Sequence, residues 1–253
     1  MTYKSDDTPL KPLKWYKSLA DRKERIEAGV FLVEGERAVR QIAENNPDAI
    51  VEVLSTSEPP SFCRTYPYRR ITGEQLRSVT SATTPQGIIA VVRIPKDIYS
   101  NALPDDSGSK ILLLEDVQDP GNTGSLIRTA VAFGFSGVIM SEKCADPLSP
   151  KAVQSTAGTI LSLWIRRTNN YLGMVSSLKT AGYSLVATDL NGEENPSFLQ
   201  KADNLILALG NEASGLSGDI LNLADYRLKI AIKDKAESLN VAACGAICMY
   251  LSR

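Results

Sequence analysis

The sequence predicts an α/β protein in two units, and three observations predict it. Predominantly apolar runs at 111–114, 138–140, 204–210 and 228–232 have the character of strands buried on both faces. The runs at 111–114, 204–210 and 228–232 each lead into a cluster of Gly, Asn, Asp, Ser or Lys, and open α/β sheets place their ligand loops at such strand ends. Residues before 95 carry a separate alternation of strand and helix patterns, followed by a stretch rich in Pro, Asp, Ser and Gly.

The elements follow in order. The first unit is read as an apolar strand at 30–33, a helix at 36–44, a strand at 50–54, a helix opened by a capping box of Thr72 with Gln75, and a strand at 87–94. The stretch 95–110, with Pro104, Asp105, Asp106, Ser107 and Gly108, reads as a linker. The run 111–114 is then broken by Pro120 and Gly121. From Asn122, a candidate N-cap, the spacing turns helical, with Leu126, Ile127, Ala130, Val131 and Phe133 on one apolar face. Gly134 and Gly137 close that helix before 138–140. Arg128 lies about one and a half turns into it, within reach of the strand end. Strand 204–210 delivers Asn211, Glu212, Ala213, Ser214 and Gly215. Strand 228–232 delivers Lys233, Asp234 and Lys235, and 238–253 has helical spacing of Leu239, Val241, Ala242, Ile247 and Leu251.

Composition bounds the function. A chain of 253 residues at 43% hydrophobic content can bury one large or two modest cores. No apolar run reaches membrane-spanning length and no basic-apolar leader opens the chain, so the expectation is a soluble, cytoplasmic protein without a membrane partner. The absence of histidine excludes a Ser-His-Asp triad, a Cys-His pair and any His-based metal site, and removes the usual general base. Cys63, Cys144, Cys244 and Cys248 lack paired metal spacing and read as buried free thiols, so no metal is expected.

A net charge of −1 requires any phosphate-binding surface to be local. Two basic stretches interleaved with aromatics qualify: 11–25, with Lys11, Lys14, Lys17, Arg22, Lys23 and Arg25 around Trp15 and Tyr16, and 62–70, with Arg64, Arg69 and Arg70 among Tyr66 and Tyr68. Because Asp21, Glu24 and Glu27 interrupt the first, it equally suits a solvated helix face of mixed charge.

Taken together, the three strand-end clusters resemble the SpoU, or TrmH-type, RNA methyltransferases of the SPOUT superfamily. The family's Asn-x-Gly-x-x-x-Arg-x-Ala is met by Asn122, Gly124, Arg128 and Ala130. Its strand ending in Gly-x-Glu-x-x-Gly is met by Gly210, Glu212 and Gly215, and its Ser-Leu-Asn-Val by Ser238, Leu239, Asn240 and Val241. A weaker element, Pro-Lys followed by Ser-x-x-Gly, is met by Pro150, Lys151, Ser155 and Gly158. Two departures stand out: Gln154 where many relatives carry Arg, and Ile230-Ala-Ile-Lys-Asp234 where the family often has Ile-Pro-Met-x-Gly.

The resemblance implies an accessory RNA substrate-binding domain at 1–95, similar to small ribosomal RNA-binding proteins around 31–35 and 84–89. It further implies a linker at 96–109 and a parallel-sheet SPOUT methyltransferase domain at 110–253, with a C-terminal trefoil knot and a homodimer sharing its site. The implied reaction is methyl transfer from S-adenosylmethionine to a ribose 2′-hydroxyl, in ribosomal RNA by preference, with transfer RNA and base methylation as alternatives. Asn122, Arg128, Glu212, Ser238 and Asn240 are the implied catalytic residues. Leu209, Gly210, Ile230, Ile232 and Leu239 would contact the cofactor, and Lys14, Arg22, Lys23, Arg69, Arg70 and Lys151 the RNA; Lys233 and Lys235 could meet phosphate or solvent. For Arg128 two roles stand side by side, base and phosphate-positioning group, since a guanidinium of reference pKa about 12.5 is a poor base but a good bidentate donor.

Two readings from other classes compete. A dinucleotide-dependent oxidoreductase would need a phosphate loop after Leu114, but 119–124 (DPGNTG) lacks Gly-x-Gly-x-x-Gly. A non-catalytic RNA-binding module would need none of the three clusters.

Overall fold

A computed structural model describes residues 11–80, 85–233 and 238–253; Thr84, Asp234 and Lys235 of the readings above lie outside them. The chain forms two compact units, Met1–Pro95 with Asp146–Ser162, and Lys96–Ala145 with Leu163–Arg253.

The first unit contains α1 (Leu13–Ser18), α2 (Arg22–Ala28), β1 (Val30–Glu34), α3 (Glu36–Asn45), β2 (Ile50–Ser55), β3 (Tyr68–Arg70), α4 (Gly73–Val79) and β4 (Ile88–Arg93). Its sheet runs β1-β4-β2-β3, with β4 antiparallel to both neighbours and β3 parallel to β2. The Thr72–Gln75 capping box opens α4 with both reciprocal hydrogen bonds in place. Two members of the basic 11–25 stretch serve the core. Tyr16 is fully buried and donates its hydroxyl to the carboxylate of Glu52, itself buried on β2, at 2.8–2.9 Å. Arg25 is buried too, donating to the carbonyls of Leu19 and Ala20 and pairing with Asp146. An aromatic ring and a cation that look like RNA contacts in the sequence therefore fill and brace the interior, because a buried guanidinium must satisfy its donors within the protein.

The second unit begins with β5 (Lys110–Leu114), α5 (Pro120–Ala132) and β6 (Gly137–Ser141); the next helix, α6 (Pro150–Thr156), lies in the segment grouped with the first unit. It continues through β7 (Trp164–Thr168), α7 (Tyr171–Thr180), β8 (Ser184–Glu193), α8 (Ser197–Lys201), β9 (Leu205–Leu209), α9 (Gly218–Leu223), β10 (Tyr226–Leu228) and α10 (Val241–Leu251). The six strands are ordered β10-β8-β9-β5-β6-β7 and every pairing is parallel. The central strands β5, β6 and β9 are buried on both faces, which is why they read as apolar runs. Segment 96–109 is held along β7: Ile98 is buried, its carbonyl accepts from Arg167 N at 2.8 Å, and the Trp164 indole donates to Ser107 O at 3.1 Å.

Three boundaries differ from the sequence reading. Helix α5 starts at Pro120 rather than Asn122, because Asp119 is the N-cap and its carboxylate accepts from Asn122 N at 2.9 Å; Pro suits the first helical position, where no N–H is needed. The run 228–232 contributes to β10 only Leu228, which pairs with Glu193 of β8 after a register shift between Arg227 and Leu228. Helix α10 starts after Asn240, so Ser238 and Leu239 lie in the approach to it. Among the described residues no helix is long and apolar enough to cross a membrane.

Candidate active site

Strands β5 and β9 are adjacent and in register from Lys110↔Leu205 to Leu114↔Leu209, so they end side by side. The loops that follow them are therefore brought together by the sheet itself. Glu212, on the loop after β9, accepts from the side-chain amide of Asn122 at 3.0 Å and from the backbone N–H groups of Gln118 and Asp119 at 3.3 Å. Asn122 completes a chain by accepting, at its Oδ1, the amide of Asn240 at 3.1 Å. The Oδ1 of Asn240 in turn accepts from Ala242 N and Ala243 N, capping α10. Asp119 takes the capping role on α5, which leaves the Asn122 side chain for this bridge.

Glu212 sits at an exposed position, and partial burial raises its pKa. The amide of Asn122 and the backbone N–H groups of its own residue, Gln118 and Asp119 outweigh that effect and hold the carboxyl below its ordinary value.

The loop around Glu212 is rigid for local reasons. Asn211 and Gly215 exchange two backbone hydrogen bonds of 3.0 Å, and Asn211 Oδ1 accepts from Ala213 N and Ser214 N. A Cβ on Gly210 would fall 2.2 Å from the carbonyl carbon of Gly215, so glycine is required there by the loop's own backbone. Asn211 Nδ2 also donates to Asp116 O at 2.8 Å. Asp116 occupies the left-handed region at φ 57°, costly for a residue with a Cβ. Ser141 compensates by accepting from Asp116 N at 2.9 Å and donating to its carboxylate at 2.6 Å.

Beside this network opens a cleft of about 540 Å³, within the range of small-molecule sites. Gly210, Ile230, Ile232, Ser238 and Leu239, all named from the sequence, line it, and so does Glu212. Leu209 lies behind, fully buried at the end of β9. The apolar pair Ile230 and Ile232 was read as strand; its side chains instead form a wall of the cleft. Sequence reasoning missed a further wall, Thr188, Asp189, Leu190 and Asn191 from β8. Its signal was present in the apolar run Leu185–Ala187 leading into Thr-Asp-Leu-Asn-Gly, the same strand-to-polar-loop pattern that marked the other strand ends. Cys244, read as a buried thiol, is half-buried and lines the cleft, whereas Cys63, Cys144 and Cys248 are buried and free. Among the described residues no group of three or more His, Cys, Asp or Glu is placed to hold a metal.

Arg128 is not drawn into the network. It is exposed on α5 and has no hydrogen-bond or ion-pair partner among the described residues. In the first unit, Lys14, Arg22, Lys23, Arg70 and Lys151 are exposed. Arg69 is half-buried and engaged, donating to Lys11 O with its guanidinium 5.8 Å from the Tyr16 ring centre.

Comparison with known proteins bears on the family. Residues 109–250 match the SpoU rRNA Methylase family, and residues 11–90 match the MRM3-like substrate binding domain. The chain is 32% identical over 241 residues to the 23S rRNA (guanosine(2553)-2′-O)-methyltransferase RlmP of Bacillus subtilis, covering 94% of each chain. It is 29% identical over 251 residues to a 23S rRNA (uridine(2479)-2′-O)-methyltransferase of Streptomyces viridochromogenes, covering 94% of this chain and 87% of that one. The crystal structure of the SpoU methyltransferase AviRb from that organism, in complex with the cofactor AdoMet, superposes with a TM-score of 0.81 at 28% identity, over 95% of this chain and 96% of the other. A parallel sheet whose adjacent strand ends join the Asn, Glu and Asn motifs, together with a family match over that same region, places the chain in the SpoU rRNA methylase family of methyltransferases.

Proposed function

We propose that the protein transfers a methyl group from S-adenosylmethionine to the 2′-hydroxyl of a ribose in ribosomal RNA. The observation that carries this reading is the chain Glu212–Asn122–Asn240, which unites three separated motifs beside the 540 Å³ cleft that Glu212 lines. The cleft's residues fit the cofactor: Leu239, Val241, Ile230 and Ile232 offer apolar walls, and Thr188, Asn211 and Ser238 offer polar groups at the edge. When bound, S-adenosylmethionine supplies an already activated methyl group.

The chain's own residues then have to position the ribose and assist loss of its hydroxyl proton. Asn122 retains one amide hydrogen and one carbonyl lone pair beyond its bonds to Glu212 and Asn240, enough to orient a hydroxyl. Glu212 braces Asn122, and Ser238 with Asn240 fixes the approach to α10. Arg128, exposed and unengaged among the described residues, is suited to meet the target nucleotide, and its planar fork matches a phosphate. Lys14, Arg22, Lys23, Arg70 and Lys151 supply phosphate contacts from the first unit, which serves as the RNA-binding domain. The linker at 96–109 and the catalytic domain at 110–253 belong to the same reading.

The reading also includes a trefoil-knotted C-terminal third, a homodimer and a cytoplasmic setting. The exposed Ile247 and Tyr250 on α10, at 39% and 52%, support burial of that helix face against a second copy. The ribosomal preference is supported by the names of the relatives above and of the family that residues 109–250 match.

The test is incorporation of labelled methyl into RNA, hydrolysis to nucleosides, and mapping of 2′-O-methyl positions in total RNA from cells with and without the gene. Loss of one ribosomal 2′-O-methyl in the deletion strain supports the proposal. A lost methyl base or a lost transfer-RNA modification would redirect it, and an unchanged methylation pattern would overturn it.

A further inference from the structure

The family motifs include one carboxylate of the site, Glu212, but the structure contains a second that works in the opposite direction. Glu115 directly follows β5 and is only 3% exposed. Its Oε2 accepts from Ser217 N at 2.7 Å, and its Oε1 accepts from the Ser217 hydroxyl and the Tyr171 hydroxyl, each at 2.7 Å. Ser217 is the N-cap of α9 and closes the loop that holds Glu212. The two carboxylates are therefore reciprocal. Glu115 reaches from β5 to the backbone of the loop after β9, and Glu212 reaches from that loop to the backbone of the turn after β5. Asn211, donating to Asp116 O, ties the opening end of the same loop to the residue after Glu115.

The halves of this clasp differ in one respect that matters. Glu212 is exposed and lines the cleft, whereas Glu115 is buried and lies outside the cleft's lining. We infer that Glu115 is a positioning residue of the reaction: through Ser217 it holds the 211–217 loop in the register at which Glu212 meets Asn122 and the cleft keeps its shape. This inference rests on the methyltransferase reading for its chemistry, but the clasp itself is measurable without cofactor.

The experiment uses the full chain with Glu115→Gln, which keeps the side chain's shape but replaces one acceptor by a donor. Ser217→Ala and the double variant accompany it. The Glu212 carboxyl is followed by NMR titration, and S-adenosylhomocysteine affinity by calorimetry. In each single variant the Glu212 carboxyl should titrate closer to its ordinary value of 4.5, because its donors across the clasp are held less firmly. Cofactor-analogue binding should weaken by about tenfold, the scale of one hydrogen bond to a charged group, with KM for RNA unchanged. The double variant should be no worse than the stronger single, since both break the same link. A Glu212 titration identical to wild type, multiplicative losses in the double variant, or a lower Tm with unchanged analogue affinity would each overturn the inference. Wild-type protein that bound no analogue while its Glu212 titration responded to Glu115→Gln would count against the methyltransferase reading and leave the clasp standing.

Discussion

The side-chain amide of Asn240 donates to the side-chain oxygen of Asn122 across 3.1 Å, joining residues 118 positions apart. Each Asn sits at the start of a helix, on α5 in its first turn and on α10 as the cap. Their contact brings two helix N-termini together, and the partial positive charge there favours an oxygen-rich ligand.

Removing the middle of the chain should stop catalysis with little effect on folding. Asn122→Ala deprives Glu212 of its side-chain donor and Asn240 of its acceptor, at a position outside the buried core. Methyl transfer should fall by about a hundredfold or more, as for loss of a group acting in the transition state. The Tm should drop by about 2–4 °C. Steady-state kinetics and a thermal melt decide it; near-normal turnover would remove Asn122 from the mechanism.

Acid should loosen the site through Glu212. Because its folded-state carboxyl is held below the ordinary 4.5, the stabilisation it gives is fully present above that value and is lost as pH falls through the lowered one. Affinity for S-adenosylhomocysteine should therefore stay level from neutrality down to about pH 5 and decline in stronger acid. Glu212→Gln should be weaker at neutral pH and lack that acid decline. A wild-type decline already centred near neutrality would contradict the assignment.

Arg128 offers the cleanest separation of chemistry from stability. Exposed and unengaged among the described residues, it can be replaced by Ala at a stability change within about 0.5 kcal/mol. Cofactor-analogue affinity should hold while methyl transfer is lost, and Arg128→Lys should restore little because Lys lacks the planar fork. If mixed dimers of Arg128→Ala and Asn240→Ala regain activity, the two residues act in one site from different subunits.

Gly210→Ala tests the loop. The added methyl would overlap the backbone at Gly215 and Leu216, neither of which is a flexible side chain, so the loop must shift. Overpacking of this kind costs about 1–3 kcal/mol, and the cleft beside the loop should lose its analogue affinity with it. Calorimetry showing wild-type affinity would mean that the loop tolerates displacement.

The sequence by itself determined the second unit's fold class and named most of the residues of its candidate site. Buried parallel strands need apolar residues on both faces, so 111–114 and 204–210 announce themselves, and loops at strand ends need Gly, Asn and Asp, so the three motifs stand out. Local chemistry of that kind is written in neighbouring residues. What only the tertiary structure decided is which strand ends stand together. The β9–β5 pairing, with strands some ninety residues apart in the chain, puts Glu212 on Asn122 and Glu115 on Ser217. No periodicity encodes that adjacency. The same limit hid the β8 wall of the cleft and the interior roles of Tyr16 and Arg25, because a polar or aromatic side chain reads alike in sequence whether it meets solvent, a ligand or a buried partner such as Glu52.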